Sequence, residues 1–417
     1  MATAMRPGRV DQPRDGEAFL PPGFFDAFPS LERDRERLGP VLHRTDTPLF
    51  LVDTRILAER YREVERALAR RSARSAIAYS FKTNYAVAES RLLGELGAWA
   101  EVVSGREYRL ARGLGHPGEE IVFNGPHKRD DELLLALTEG ALIHVNDREE
   151  LERVLELRMA HHGRARVGLR VKADLPGVEP SRFGLSLEDG EAAAAVARML
   201  SVPGLAPAGL HLHLRGDTDD PGHFRKAARR VARLLAHGGP EGGRLRVRSL
   251  DLGGGFPAHG PRPRSRRTWD PRPIGEYVDA ITGELSPALA HEDGPTLILE
   301  PGRYLVADAI VFVSTVLRAR RSGNGQLVTV DGTVTMLPLT HYCPQIARLF
   351  TSDLLPRRDS SLPSTVLGSS CRENDVLYSG PLPPAVRGDF LVFYAAGAYN
   401  SSLSPEFIFD APPVLFA

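Results

Sequence analysis

The chain has 417 residues, 42% hydrophobic and 25% charged, which suits a large soluble barrel plus a second domain rather than one small domain. Its 53 basic and 53 acidic residues cancel, which argues against a nucleic-acid or membrane-surface partner, since either needs a basic face. Only Cys343 and Cys371 occur, so no disulfide framework or cysteine metal cluster is expected, and thirteen histidines in no ligand-like spacing indicate no metal. There is no apolar run long enough to span a bilayer and no charged-then-apolar leader, so the expected location is the cytoplasm.

Residues 1 to about 35 are polar and rich in Pro, Gly and charge, and the first 20 are expected to be disordered. Asp46-Thr47-Pro48 opens a regular alternation, with an apolar run from Leu49 to Val52 and helical periodicity from Thr54 to Arg71. Eight strand-like runs follow at 76–82, 100–103, 121–124, 142–146, 166–172, 208–214, 248–252 and 296–300. Helical stretches such as Ala86 to Leu96 and Asp130 to Leu137 separate most of them. The pairs Arg70-Arg71 and Arg229-Arg230 fall on amphipathic stretches and read as solvated helix faces.

Eight β/α units with near-continuous apolar strands predict a (β/α)8 barrel. A doubly wound open sheet is the alternative, but it leaves unexplained why so many strand ends carry unusual chemistry. After about Arg303 the runs Ile310 to Val316, Gln326 to Val330, Asp375 to Leu377 and Phe390 to Tyr394 are short, β-rich and set between Pro/Gly turns. They predict an all-β domain over 306–417, after a barrel over 46–305.

Lys82 ends the first barrel strand in Tyr79-Ser80-Phe81-Lys82-Thr83-Asn84, in a chain with only four lysines (Lys82, Lys128, Lys172, Lys226). An amine at an apolar strand end can be desolvated, which lowers its pKa and yields a neutral nucleophile; a lysine reaching solvent is the alternative. Asn124, His213, Gly253-Gly254-Gly255 and Glu300-Pro301-Gly302-Arg303 fall at the ends of later strands, where barrel active sites lie. A glycine triplet after strand seven lets backbone N–H groups approach a phosphate, although alone it reads as a flexible turn. His211 and His213 share one face of their strand and, by themselves, read as core histidines.

Taken in order with Cys371-Arg372-Glu373-Asn374-Asp375 and Ala396-Gly397-Ala398-Tyr399, these motifs resemble the fold-type III pyridoxal-phosphate decarboxylases. That family includes the diaminopimelate, ornithine and arginine decarboxylases, and the resemblance spans roughly 46 to 405. It implies an alanine racemase-like (β/α)8 TIM barrel with a C-terminal β domain, which residues 1–45 would join. It implies pyridoxal 5'-phosphate held by Lys82 as a Schiff base. The phosphate would be bound by Gly253, Gly254, Gly255, Gly302, Arg303 and Tyr399, and the ring faced by His213. Glu101 and Arg170 would orient the cofactor, with Glu101 standing where the family usually has aspartate. Glu300 would keep the pyridine nitrogen protonated and the ring a strong electron sink. That favours decarboxylation over racemisation, for which the related racemases use arginine at this position. Cys371 would protonate the quinonoid carbon from a loop that enters the partner's site, which implies a homodimer with shared active sites.

Three departures rewrite the substrate end. Arg372 replaces an acidic residue that pairs with a distal amine. Leu337-Pro338 and His341 replace an Arg-Pro and a tyrosine. Arg215-Gly216 replaces Gly-Ser, leaving the Gly216 N–H to stand in for a lost hydroxyl. Arginine binds carboxylates in a bidentate fork. Arg303, His341, Arg372 and Tyr399 are therefore read as facing an amino acid with an anionic or carbonyl-bearing far end. Such a substrate, free or carrier-bound, would belong to specialised metabolism. A diaminopimelate or basic amino acid decarboxylase is the alternative, and a racemase on the same fold is the rival of another class.

Overall fold

The computed structural model describes residues 31–416 except 162–165, 215–217, 262–267, 270, 292 and 344. The expected disorder of the first 20 residues and the role of Arg215-Gly216 lie outside the described residues.

The first strand, β1 (Leu49–Val52), does not belong to the barrel. The barrel strands are β2 (Ser75–Ser80), β3 (Trp99–Val102), β4 (Ile121–Phe123) and β5 (Leu142–Val145), then β6 (Arg166–Lys172), β7 (Gly209–His211), β8 (Ser249–Asp251) and β9 (Thr296–Leu299). All eight predicted runs form, and each is parallel to the next. The ring closes where Leu297, Ile298 and Leu299 of β9 pair with Ser75, Ala76 and Ile77 of β2. This excludes the open doubly wound sheet. Ile121, Val122 and Phe123 are wholly buried, as a strand covered on both faces must be.

Helices cover the outside, and their starts are written in the sequence. Asp53 accepts from the N–H groups of Arg55 (3.0 Å) and Ile56 (3.4 Å) to cap Thr54–Ala69. Ser104 caps Gly105–Gly113 through the Glu107 N–H, and Asp220 caps Pro221–His237, with proline at the first turn. Arg70 and Arg71 sit just past a helix end rather than on its face, where Arg71 pairs with Asp279 at 2.6 Å. Arg229 pairs with Glu284 across two helices.

The second domain holds β10 (Ile310–Ser322), β11 (Gly325–Val330), β12 (Ile346–Phe350), β13 (Leu362–Leu367), β14 (Val376–Leu382), β15 (Phe390–Tyr394) and β16 (Val414–Phe416). Its path is β12-β15-β10-β11-β13-β14, with β1 joined to β10 and β16. The predicted boundary at residue 46 therefore falls one strand too early: Leu49–Val52 pairs antiparallel with Ile310–Val313 of the β domain. An all-buried strand fits a β-sandwich core as well as a barrel, so composition could not separate the two.

Candidate active site

The functional side chains converge where the barrel strands end. Lys82 follows β2 on a 3-10 turn, Phe81–Thr83. Its Nζ is ion-paired with Glu101 Oε2 at the end of β3 and lies 3.3 Å from Ser80 Oγ. Burial works against the ammonium, but the carboxylates of Glu101 and Glu300 more than offset it and hold Lys82 above the ordinary lysine range. The direction is opposite to the expectation of a lowered lysine: Lys82 pairs with Glu101 and lies in the field of Glu300, and 32% of its side chain stays exposed.

Glu300 follows β9 and is buried, as is Glu101. One amide bridges them: Asn124 Nδ2 donates to Glu101 Oε1 (3.1 Å) and Glu300 Oε1 (2.6 Å). The other Glu300 oxygen lies 3.4 Å from His211 Nε2 and 3.9 Å from His213 Nδ1. Asp251, at the end of β8, is fully buried beside Glu300, and burial together with that negative neighbour pushes its carboxyl well above the usual range. Both causes favour the protonated form of Asp251, whose buried Oδ2 makes no hydrogen bond among the described residues.

His213 is held neutral, pushed down to about 3 by burial and by the nearby Arg170 and Lys82 charges. Its Nδ1 accepts from the Gly254 N–H at 2.9 Å, so the ring proton sits on Nε2. His211 stacks on His144 with ring centroids 4.9 Å apart, and burial holds both well below the ordinary value. Arg170 on β6 is buried against the Phe183 ring, its guanidinium carbon 5.1 Å from the centroid.

The glycine loop is used differently from the expectation. Gly253 N–H donates to Asp251 and Gly254 N–H to His213, so two of the three amides are committed inside the protein. What these positions require is the absence of a side chain: a Cβ on Gly253 would come within 2.6 Å of the His213 ring, and one on Gly254 within 2.1 Å of the Glu300 carbonyl oxygen. Gly255, at φ +85°, is the member of the triplet whose amide has no such commitment among the described residues.

The second domain reaches the same place. Tyr399 N–H donates to the Thr83 carbonyl at 2.7 Å, Asn84 Nδ2 donates to Gly397 O, and Ser401 Oγ bonds Asn84 Oδ1. Tyr399 adopts φ +63°, and its ring lies 5.2 Å from the Arg303 guanidinium carbon. Gly302 packs on the lysine turn, where a Cβ would meet Thr83 Oγ1 at 2.1 Å. The structure therefore brings together Lys82, Glu101, Arg170, His213, the glycine loop, Glu300, Gly302, Arg303 and Tyr399.

Cys371, Arg372 and His341 stand apart. Cys371 is exposed on the loop between β13 and β14, and no hydrogen bond or ion pair joins it to Lys82 among the described residues. Buried Asp375 anchors that loop by accepting from the N–H groups of Val334 (2.6 Å) and Ser370 (2.9 Å). Arg372 Nε donates to Asn374 Oδ1 at 3.2 Å. His341 ends the exposed tip of a 3-10 turn, Pro338–His341, whose Leu339 N–H bonds the Asn400 side chain.

Asn124 is expected at the barrel mouth without a stated role, while nothing in the sequence assigns His144 or Asp251 to the site. Each lies at or beside the end of a barrel strand, and for His144 and Asp251 that position is the only signal the sequence holds. The constellation fits pyridoxal phosphate. It offers an amine among acids, a buried carboxylate next to neutral imidazoles, and a Cβ-free loop between strands seven and eight, where barrel phosphate sites lie. His211, whose buried ring nitrogens make no hydrogen bond among the described residues, faces this same cluster through Nε2, 3.4 Å from Glu300.

Residues 55–307 match the family described as pyridoxal-dependent decarboxylase, pyridoxal binding domain. A diaminopimelate decarboxylase from Actinosynnema pretiosum subsp. auranticum is 30% identical over 96% of this chain and 92% of its own length. One from Methanothermobacter thermautotrophicus is 30% identical over 87% of this chain and 84% of its own. A crystal structure of diaminopimelate decarboxylase from M. jannaschi superposes with a TM-score of 0.78 at 24% identity, covering 90% of this chain and 88% of that one. The Vibrio vulnificus lysine/ornithine decarboxylase complexed with cadaverine gives 0.77 at 22%, covering 94% and 99%. These two superpositions are likenesses of fold. No helix among the described residues is long and apolar enough to cross a membrane.

Proposed function

The chain belongs to the pyridoxal-phosphate-dependent decarboxylases, and within that family we propose that it acts on an amino acid whose far end is anionic or carbonyl-bearing. The observation that carries this reading is Arg372, next to Cys371 on a loop that Asp375 fixes in place.

Bound pyridoxal phosphate supplies the electron sink for the pair released when carbon dioxide leaves. The protein's part is to bind, orient and move protons. Lys82 would hold the cofactor, with Glu101 placed to take or return the Lys82 proton. Glu300 keeps negative charge for the ring nitrogen, and neutral His213 covers the ring without adding charge. Gly255, Gly302, Arg303 and Tyr399 take the phosphate, and Arg170 balances the acids from β6. Cys371 returns a proton to the reacting carbon in the partner subunit's site, so the active form is a homodimer. With Cys371 at that carbon, Arg372 meets the far end of the substrate. An arginine there opposes a distal ammonium or guanidinium by several kcal/mol, roughly a thousandfold in discrimination.

A second reading, diaminopimelate, has support in the names of the relatives at 30% identity. That molecule carries a carboxylate as well as an ammonium at its far end, so Arg372 has a partner in it too. Carbon dioxide release from a panel of amino acids decides. Turnover confined to acid- or carbonyl-ended substrates supports the first reading, and turnover of diaminopimelate alone supports the second. Efficient use of ornithine, lysine or arginine overturns both.

A further inference from the structure

Two carboxylates, Glu101 and Glu300, share one partner in the barrel mouth. Asn124 sends one amide N–H to each, at 3.1 and 2.6 Å. The orientation of that amide is fixed by chemistry, because carboxylates only accept and so must face the NH2 end. The carbonyl end is held from the other side, where His144 Nδ1 lies 2.8 Å from Asn124 Oδ1. A neutral His144 must therefore carry its proton on Nδ1, and the amide cannot flip without losing three hydrogen bonds.

The support continues outward. His144 is fully buried and stacks on His211, and a Cβ on Gly168 would come within 2.7 Å of its ring. The loop after Asn124 is pinned by Lys128, which has no exposed surface. Its ammonium donates to the carbonyls of Gly125 and His144, both at 3.0 Å, and is paired with Glu150. One buried cation thus ties the ends of β4 and β5, which carry Asn124 and His144.

We propose that Asn124, oriented by His144, is a positioning residue that holds Glu101 and Glu300 side by side against their mutual repulsion, and so sets the acidity of the nitrogen on Lys82. Two unshielded buried carboxylates sharing a site do not both ionise; one takes a proton. The charged and titratable groups facing this pair are Lys82, Arg170, His211, His213, Asp251 and Tyr399, with Glu107 and Lys128 behind. Burial disfavours charge on Asp251 and the histidines, and Lys82 and Arg170 are the cations beside the two carboxylates. Removing the Asn124 donors leaves the carboxylates to repel and move apart, and Lys82 loses part of the negative surroundings that favour its protonated form.

The test rests on the cofactor assignment, so the cofactor content of each purified holoenzyme is measured first. The visible absorption band of the loaded protein is then titrated with pH in the unmodified chain, in Asn124→Ser and in His144→Leu. In Asn124→Ser the midpoint is expected to fall by about one pH unit or more, a tenfold gain in acidity, with a smaller fall in His144→Leu. Should Asn124→Ser not fold, the His144→Leu titration decides alone. Cofactor bound with an unchanged midpoint, even if thermal stability drops, overturns the proposal and leaves Asn124 a packing residue. Absence of cofactor from the unmodified holoenzyme overturns the cofactor assignment instead.

Discussion

The carbonyl oxygen of Glu300 lies 2.1 Å from where a Cβ on Gly254 would stand, so the carboxylate loop and the glycine loop touch through backbone alone. The Glu300 N–H also donates to Gly253 O at 2.8 Å, which fixes the two loops to each other.

Gly254→Ala is therefore expected to push the two loops apart and weaken cofactor binding by at least tenfold, with a loss of about 1–3 kcal/mol of stability from overpacking. Equilibrium titration of the cofactor-free variant with pyridoxal phosphate, alongside a thermal melt, checks this. Affinity like that of the unmodified protein would mean that the contact is easily relieved.

Glu300→Gln keeps the shape of the side chain and removes its charge. Cofactor should still bind, while carbon dioxide release should fall by about a hundredfold or more, the cost of losing a preorganised electrostatic group. Single-turnover rates on protein with measured cofactor content give the answer. Near-normal turnover would remove Glu300 from the chemistry.

Cys371 is exposed and Lys82 lies in the barrel mouth, so the proposed homodimer supplies them from different subunits. Mixing inactive Lys82→Ala with inactive Cys371→Ala should restore about a quarter of the activity after random exchange, because one site of each heterodimer keeps both residues. If subunits are seen to exchange and nothing returns, the site is complete within one chain.

Much of this architecture is legible in the residues. Eight near-continuous apolar runs announce a closed parallel barrel, because strands buried on both faces have no polar side to show. Lys82, His213, the glycine triplet and Glu300 stand out because each interrupts an apolar run with a residue that apolar surroundings penalise. Asn124 stands at a strand end without a role of its own, and His144 and Asp251 escape notice, for the opposite reason. A buried amide, imidazole or acid at a strand end looks like any satisfied polar residue until its partners from other strands are known. The Lys82 ammonium is misjudged for the same reason, since desolvation is visible locally while Glu101 and Glu300 come from elsewhere in the chain. The strand at Leu49–Val52 is misplaced because its partner, Ile310–Val313, is remote in sequence.

That remote pairing has a consequence for how the molecule is assembled. During synthesis Leu49–Val52 emerges early, yet both its neighbours, Ile310–Val313 and Val414–Phe416, follow only after the whole barrel has been made. Until then the segment is a short apolar strand with two open edges, the kind of segment that invites pairing with another chain. Its closure spans more than half the polypeptide, which makes it a late and slow event in folding. The loops carrying Lys82 and Tyr399, joined through Thr83, are brought together by that same closure. A nascent chain released before Tyr399 would hold a formed barrel with an unfinished cofactor site.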